Sequence, residues 1–479
     1  MREEDLSYFE GEEFKKNLAR YEEMIGKGSS VYLDSDELTD IAEYYLVNGD
    51  SAEANRCIDY ALALHPGATD PLIFRARQQL TQGNIENALK IREQITENQE
   101  TEVFFLDAEI LIKQNRNDEA HELLLSAYQN EDRNNSDFCY DCACVFCDYN
   151  DYQRAFIWTS QALQLNPKSQ KAIYLKADIH FEKECFQECI DALEHLLDIN
   201  PYHIKAWYMM AESYLRQENY NQALDAADFC LAIDEDYKHI WSLKAYVYMA
   251  KECFEDACLW YKKFMDAHSD DDSIFSQYGY CLSALERYDE SIEQLQKAIE
   301  TTSTEDPELQ KVYLQMAYVY SKLRDKEKAV WALDYAYKLN PDLKPDYKRL
   351  KACIYLEHDD LLVAFRLFQE AIDESAHAEQ TTYLIALSLY DKELYHSASE
   401  LLKNLTYEPK AEFYAPAMPY LAYSLMKIGE GDDYLNALKE AVACDPETTA
   451  EIFGEHFFGV HPTEYFKYAY KQVHGVFPA

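Results

Sequence analysis

Four cysteines crowd one short stretch of the chain, spaced Cys139-x2-Cys142-x-Cys144-x2-Cys147. Thiolates are the ligands of structural zinc, so the spacing raises the question of a metal site. The apolar residues around them recur at helical intervals and place all four on one continuous helix. At 1.5 Å per residue, Cys139 and Cys147 then lie about 12 Å apart along the axis. Thiolates spread that far cannot converge on one ion. The group reads as small packing side chains, with no metal and no cofactor; a redox pair such as Cys139 and Cys142 is the alternative. Cys185 and Cys189, at i and i+4, read the same way.

Other reactive constellations are missing. The 13 histidines form no His-Glu-x-x-His array. Ile25-Gly26-Lys27-Gly28-Ser29 has the composition of a phosphate loop but not the GxxxxGK[ST] spacing, and no strand precedes it. There is no GxSxG elbow. The chain has 88 carboxylates, so no single pair stands out as acid and base. A non-enzymatic protein is expected.

Charge narrows the partners. Against 88 acidic residues stand 45 basic ones, a net charge of −43. Such a field disfavours nucleic acid, whose binding is dominated by phosphate contacts. It also disfavours an anionic membrane surface. A protein or peptide with basic residues suits it, as does a merely well-solvated surface. The N-terminus lacks a basic segment followed by an apolar one, and no apolar run approaches the ~18–20 residues that span a bilayer. The 13 cysteines, an odd number scattered over helix faces, fit a reducing compartment, so a cytoplasmic protein is expected.

The elements that would position any site emerge from residues 204–237. Trp207, Met210, Ala211 and Tyr214 share one helix face, Asn219 and Asn221 interrupt, and Ala223, Leu224, Ala227, Cys230 and Leu231 share a second face. Two short helices cannot bury such faces alone, so the unit must stack on copies of itself. It recurs about twelve times over 35–448, the least regular copy having Arg75 and Arg92 where apolar residues belong. Before the array, residues 1–34 hold an amphipathic capping helix marked by Phe14, Leu18, Tyr21 and Ile25. After it, 449–479 hold capping helices whose Tyr465, Phe466, Tyr468 and Tyr470 make a lid. A Thr/Ser/Asp-rich spacer at 301–306 is the candidate seam.

This pattern resembles the tetratricopeptide repeat: large apolar at position 4, small at 8, aromatic at 11, Ala at 20, apolar at 24, Ala at 27 and Pro at 32. Trp207, Ala211, Tyr214, Ala223, Ala227 and Cys230 take the first six places. Pro66, Pro167, Pro201, Pro341 and Pro446 take the last one in other copies. The resemblance implies an all-α, right-handed superhelical solenoid of antiparallel helix pairs, whose first helices line a concave groove.

Positions 4, 7, 8 and 11 are committed to packing, so positions 2, 5, 9 and 12 form the stripe that faces such a groove. Position 5 holds Phe105, Tyr140, Tyr174 and Tyr208 in four consecutive copies, and Tyr383 later. Position 9 holds Tyr246, Tyr280 and Tyr318, and later Tyr423. Asp178 and Glu212 share the stripe, with Glu43 and Glu109 further out. Phenol rings offer apolar area with a polar handle, which suits recognition of a peptide. Packing against neighbouring copies is the other reading of the same rings. The expectation is therefore a scaffold or adaptor that holds an extended or helical partner segment. The alternatives are a self-assembling solenoid (a homo-oligomer) and a peptide-responsive regulator.

Overall fold

The computed structural model describes residues 6–9, 11–27, 32–97, 100–129, 135–267, 274–303, 306–341, 344–406 and 412–478. Among them there are helices and turns and no strand. The chain divides into two compact units, Met1–Asp236 and Tyr237–Ala479.

The first unit opens with α1 (Leu6–Phe9) and α2 (Glu12–Lys27). Helix pairs follow: α3 (Ser35–Val47) and α4 (Ser51–Leu64), α5 (Thr69–Thr81) and α6 (Ile85–Arg92), α7 (Thr101–Lys113) and α8 (Asn117–Tyr128). Then come α9 (Ser136–Asp148) and α10 (Tyr152–Leu165), α11 (Gln170–Glu182) and α12 (Phe186–Ile199), α13 (Ile204–Arg216) and α14 (Tyr220–Ile233). The second unit continues with α15 (His239–Ala250) and α16 (Phe254–Ala267), α17 (Phe275–Ala284) and α18 (Tyr288–Thr301), α19 (Pro307–Lys322) and α20 (Lys326–Leu339). After these lie α21 (Lys344–Glu357) and α22 (Leu361–Glu374), α23 (Ala378–Asp391) and α24 (Tyr395–Leu405), α25 (Tyr414–Ile428) and α26 (Gly431–Cys444). It ends with α27 (Pro446–Phe453), a 3-10 turn (Pro462–Glu464) and α28 (Tyr465–His474). Within each unit the helices of a pair pack on each other and each second helix packs on the next first helix. This is the expected all-α array of antiparallel pairs.

One turn geometry repeats through both units. Between the two helices of each pair sits one residue with left-handed backbone: Gly49, Gly83, Asn115, Asn150, Glu184, Glu218, Glu252, Glu286, Arg324, Asp359, Glu393 and Gly429. The residue after it donates its N–H to a carbonyl five residues back, as Cys185 does to His180 (2.9 Å) and Asn219 to Tyr214 (2.9 Å). That bond closes the first helix. At Asp50, Asp151 and Asp325 the carboxylate also caps the second helix, Asp50 accepting from the Glu53 N–H (2.9 Å), Asp151 from that of Arg154 (3.2 Å) and Asp325 from that of Lys328 (3.1 Å). One residue thus ends one helix and starts the next, which fixes the pairing.

Small residues set the helix spacing. Ala211, Ala223, Ala227 and Cys230 are wholly buried. At the equivalent of Ala211, α17 has Gly279, where a Cβ would stand 2.9 Å from Leu295 Cδ2. The irregular second copy is explained by ion pairs. Arg75 reaches Asp59 (2.5 Å), and Arg92 forks onto both oxygens of Asp107 (2.6 and 2.9 Å). At the 301–306 spacer, residues 304 and 305 lie outside the described set, and α18 and α19 on either side of it pack together. Behind α26, Phe453 is fully buried and Phe457 stacks on Tyr465 (4.6 Å).

Candidate partner-binding surfaces

The stripe of positions 2, 5 and 9 behaves differently in the two units. In the first, its rings are engaged internally. Phe105 is 3% exposed and stacks on Phe138 at 5.5 Å, because α7 packs directly on α9 there. The expectation that it faces a ligand is corrected: it is a core residue. Tyr140 is half-buried with the Lys171 ammonium 4.7 Å from its ring centre, and Lys171 also pairs with Asp137 (2.7 Å). Tyr174 stacks on the His203 imidazole at 5.4 Å. The Tyr208 hydroxyl donates to Glu212 Oε1 (3.2 Å). Burial raises the Glu212 carboxyl above the usual range, and the Tyr208 hydrogen bond opposes that shift. Asp178 is half-buried.

The first three copies carry charge on the same stripe. Arg77 on α5 contacts Glu109 (Nε to Oε1 3.0 Å) and Glu102 (Nη2 to Oε2 3.0 Å), both on α7. The Glu109 side chain is nearly buried. Burial, with Asp40 adding repulsion, pushes the Glu43 carboxyl up to about 7. Asp70 is pushed up to about 6 by burial and by its hydrogen bond with Asp36. Arg77 and Glu109 occupy position 9 of adjacent copies. That opposite-charge repeat was available in the sequence as a signal for the pair; the further link to Glu102 was not.

In the second unit three tyrosines stay open. Tyr246, Tyr280 and Tyr318 are 46%, 44% and 52% exposed. They hold the same register position on the successive first helices α15, α17 and α19. The residues just before them, Ala245, Gly279 and Ala317, lie about 100° round each helix and are buried, which anchors the helices. Phe254 braces Tyr280 edge-on (5.9 Å), and the Lys322 ammonium lies 5.4 Å from the Tyr318 ring centre. Tyr383 and Tyr423 differ. The Tyr383 hydroxyl donates to the Pro416 carbonyl (3.4 Å) and its ring packs on Phe413 (5.2 Å). Tyr423 is hemmed in by Tyr390, Phe453 and His456.

The cysteine cluster falls on the single helix α9. Cys139 and Cys142 are fully buried, and burial pushes the Cys139 thiol up to about 11 and Cys142 well above its ordinary value. Raised thiols are poor nucleophiles and poor ligands at neutral pH.

Residues 148–230 match the family model described as anaphase-promoting complex, cyclosome, subunit 3. Residues 273–304 and 310–343 each match the tetratricopeptide repeat model. No curated protein matches significantly. Among solved structures, a tetratricopeptide repeat protein from Parabacteroides merdae is similar, at 16% identity over 52% of this chain and 98% of that one, with a TM-score of 0.40. A chain of the Cut9–Hcn1 hetero-tetramer of the APC/C is 14% identical over 94% of both chains, with a TM-score of 0.36. PilF of Pseudomonas aeruginosa is 12% identical over 43% of this chain and 92% of that one, with a TM-score of 0.38.

Proposed function

From the premise that this chain is a tetratricopeptide-repeat protein, a fold that serves protein interaction, we propose that it is a non-catalytic scaffold gripping a partner segment along Tyr246, Tyr280 and Tyr318. The observation that carries this reading is their exposure at one register position on the first helices of three successive pairs. Each ring offers apolar area and a hydroxyl at low entropic cost, which suits an extended peptide. The net charge of −43 supports a partner with basic residues, and argues against nucleic acid and anionic membranes. No described helix is long and apolar enough to cross a membrane. The thirteen free cysteines support a reducing compartment such as the cytoplasm.

A second reading is favoured by the match of 148–230 to a subunit of a large complex: the chain is a building block of an assembly, held by its own surfaces. Affinity capture separates the two. Wild type and a Tyr246→Ala/Tyr280→Ala/Tyr318→Ala variant of equal melting temperature are compared. Groove binding predicts that the variant loses the partners. Retention of the same partners by the folded variant contradicts it.

A further inference from the structure

A cleft of about 520 Å³ lies in the first unit where α12, α13 and α14 meet. Its aromatic wall is Trp207, Tyr214 and Phe229, and its rim carries Glu194, Asp198 and Asp225, with no lysine or arginine among the lining residues. Trp207 and Tyr214 are positions 4 and 11 of α13. The cleft therefore opens roughly 130° round that helix from the stripe at positions 5 and 9. It is a separate surface from the one proposed above.

The wall is preorganised. The Trp207 indole N–H donates to the Pro201 carbonyl (2.8 Å), and its ring stacks on Phe229 at 4.3 Å with the planes 17° apart. Phe229 leaves half its surface open, at 51% exposure. The three rim carboxylates are exposed and, among the described residues, make no ion pair and no hydrogen bond. Burial raises the Tyr214 hydroxyl above its ordinary value, and Glu194 and Asp191 nearby add to that shift.

We propose that this cleft receives a single arginine side chain displayed by a protein partner. The aliphatic stem lies against the Trp207–Phe229 ring pair, and the guanidinium meets the carboxylates of Asp198, Asp225 and Glu194. Aromatic faces attract cations, and a planar guanidinium both stacks on rings and forks onto carboxylates, which a lysine ammonium cannot do. The charge complementarity is one-sided: three carboxylates wait at an aromatic wall without a cation of their own.

The test titrates the full chain with three blocked peptides, acetyl-Ala-Arg-Ala-amide and its lysine and norleucine counterparts, followed by NMR of the indole N–H signals. The arginine peptide is expected to saturate and to shift the Trp207 signal. In Asp198→Asn/Asp225→Asn its affinity is expected to fall about tenfold, and Phe229→Ala, chosen for its exposure, is expected to weaken it too. Glu255→Gln/Asp256→Asn on α16 removes equal charge and is expected to leave the affinity unchanged. Equal binding of the arginine and norleucine peptides overturns the site. Unchanged affinity in the Asp198/Asp225 variant does so as well. Equal binding of the lysine peptide overturns the guanidinium assignment.

Discussion

The same stripe carries different duties in the two units, through rings at position 5 in the first and at position 9 on α15, α17 and α19 in the second. On α7 to α13 the aromatic stripe faces inward or sideways and finds partners: Phe138 for Phe105, Lys171 for Tyr140, His203 for Tyr174, Glu212 for Tyr208. On α15, α17 and α19 the tyrosines stand about half exposed. The lesson is that a ring on the stripe is structural or available according to which of its places it holds and what the next repeat brings beside it. Substitutions of the first unit's rings should therefore cost stability, and those of Tyr246, Tyr280 and Tyr318 should cost binding.

The sharpest break between the two is Phe105→Ala. It empties a buried site, and chemical denaturation should read a loss of about 3–5 kcal/mol. Next is Arg77→Ala. It leaves Glu109 nearly buried without its cation, and because the arginine is itself partly exposed the expected loss is about 2–3 kcal/mol. Ala211→Leu overpacks a fully buried helix contact and should cost about 1–3 kcal/mol in the same assay; an unchanged melting temperature would contradict the register.

A pH effect follows in size. Glu43 has its folded-state pKa raised to about 7, above its unfolded value, so the folded state binds the extra proton. Stability should fall as pH rises from about 4.5 to about 7, the penalty being complete above that. Glu43→Gln should remove on the order of 1 kcal/mol of this slope in melts run at pH 5 and pH 8. The smallest effect on stability is expected in the second unit. Tyr246→Ala, Tyr280→Ala and Tyr318→Ala should each stay within about 0.5 kcal/mol of wild type. A cost like that of Phe105 at any of them would erase the contrast.

Packing positions were readable in the sequence because they obey one rule throughout. Ala211, Ala223 and Ala227 sit where helices approach closely, and no other chemistry competes for those places. The irregular second copy was readable only as an irregularity. Arg75 and Arg92 pair with Asp59 and Asp107 across different helices, a relation that one helix's periodicity does not contain. The turn residue was also hidden. Glu184, Glu218, Glu252 and Glu286 adopt left-handed backbone without glycine, and only their even spacing betrays a shared geometry. The stripe was located by helical phase, but phase does not give exposure. Phe105 and Tyr246 both lie on it, and the packing of α7 on α9 buries the first while the second stays open. The cleft beside Trp207 was missed because its wall uses residues assigned wholly to packing, Trp207 and Tyr214, while its rim comes from two second helices.

Tyrosine nitration mapped by peptide mass spectrometry, on the free protein and on the protein bound to a captured partner, tests the central claim most directly. The account predicts that Tyr246, Tyr280 and Tyr318 react readily when free and are protected together when bound, while Tyr140, Tyr174 and Tyr208 change little. Protection confined to Tyr140, Tyr174 and Tyr208, with Tyr246, Tyr280 and Tyr318 still reactive in the complex, would contradict it.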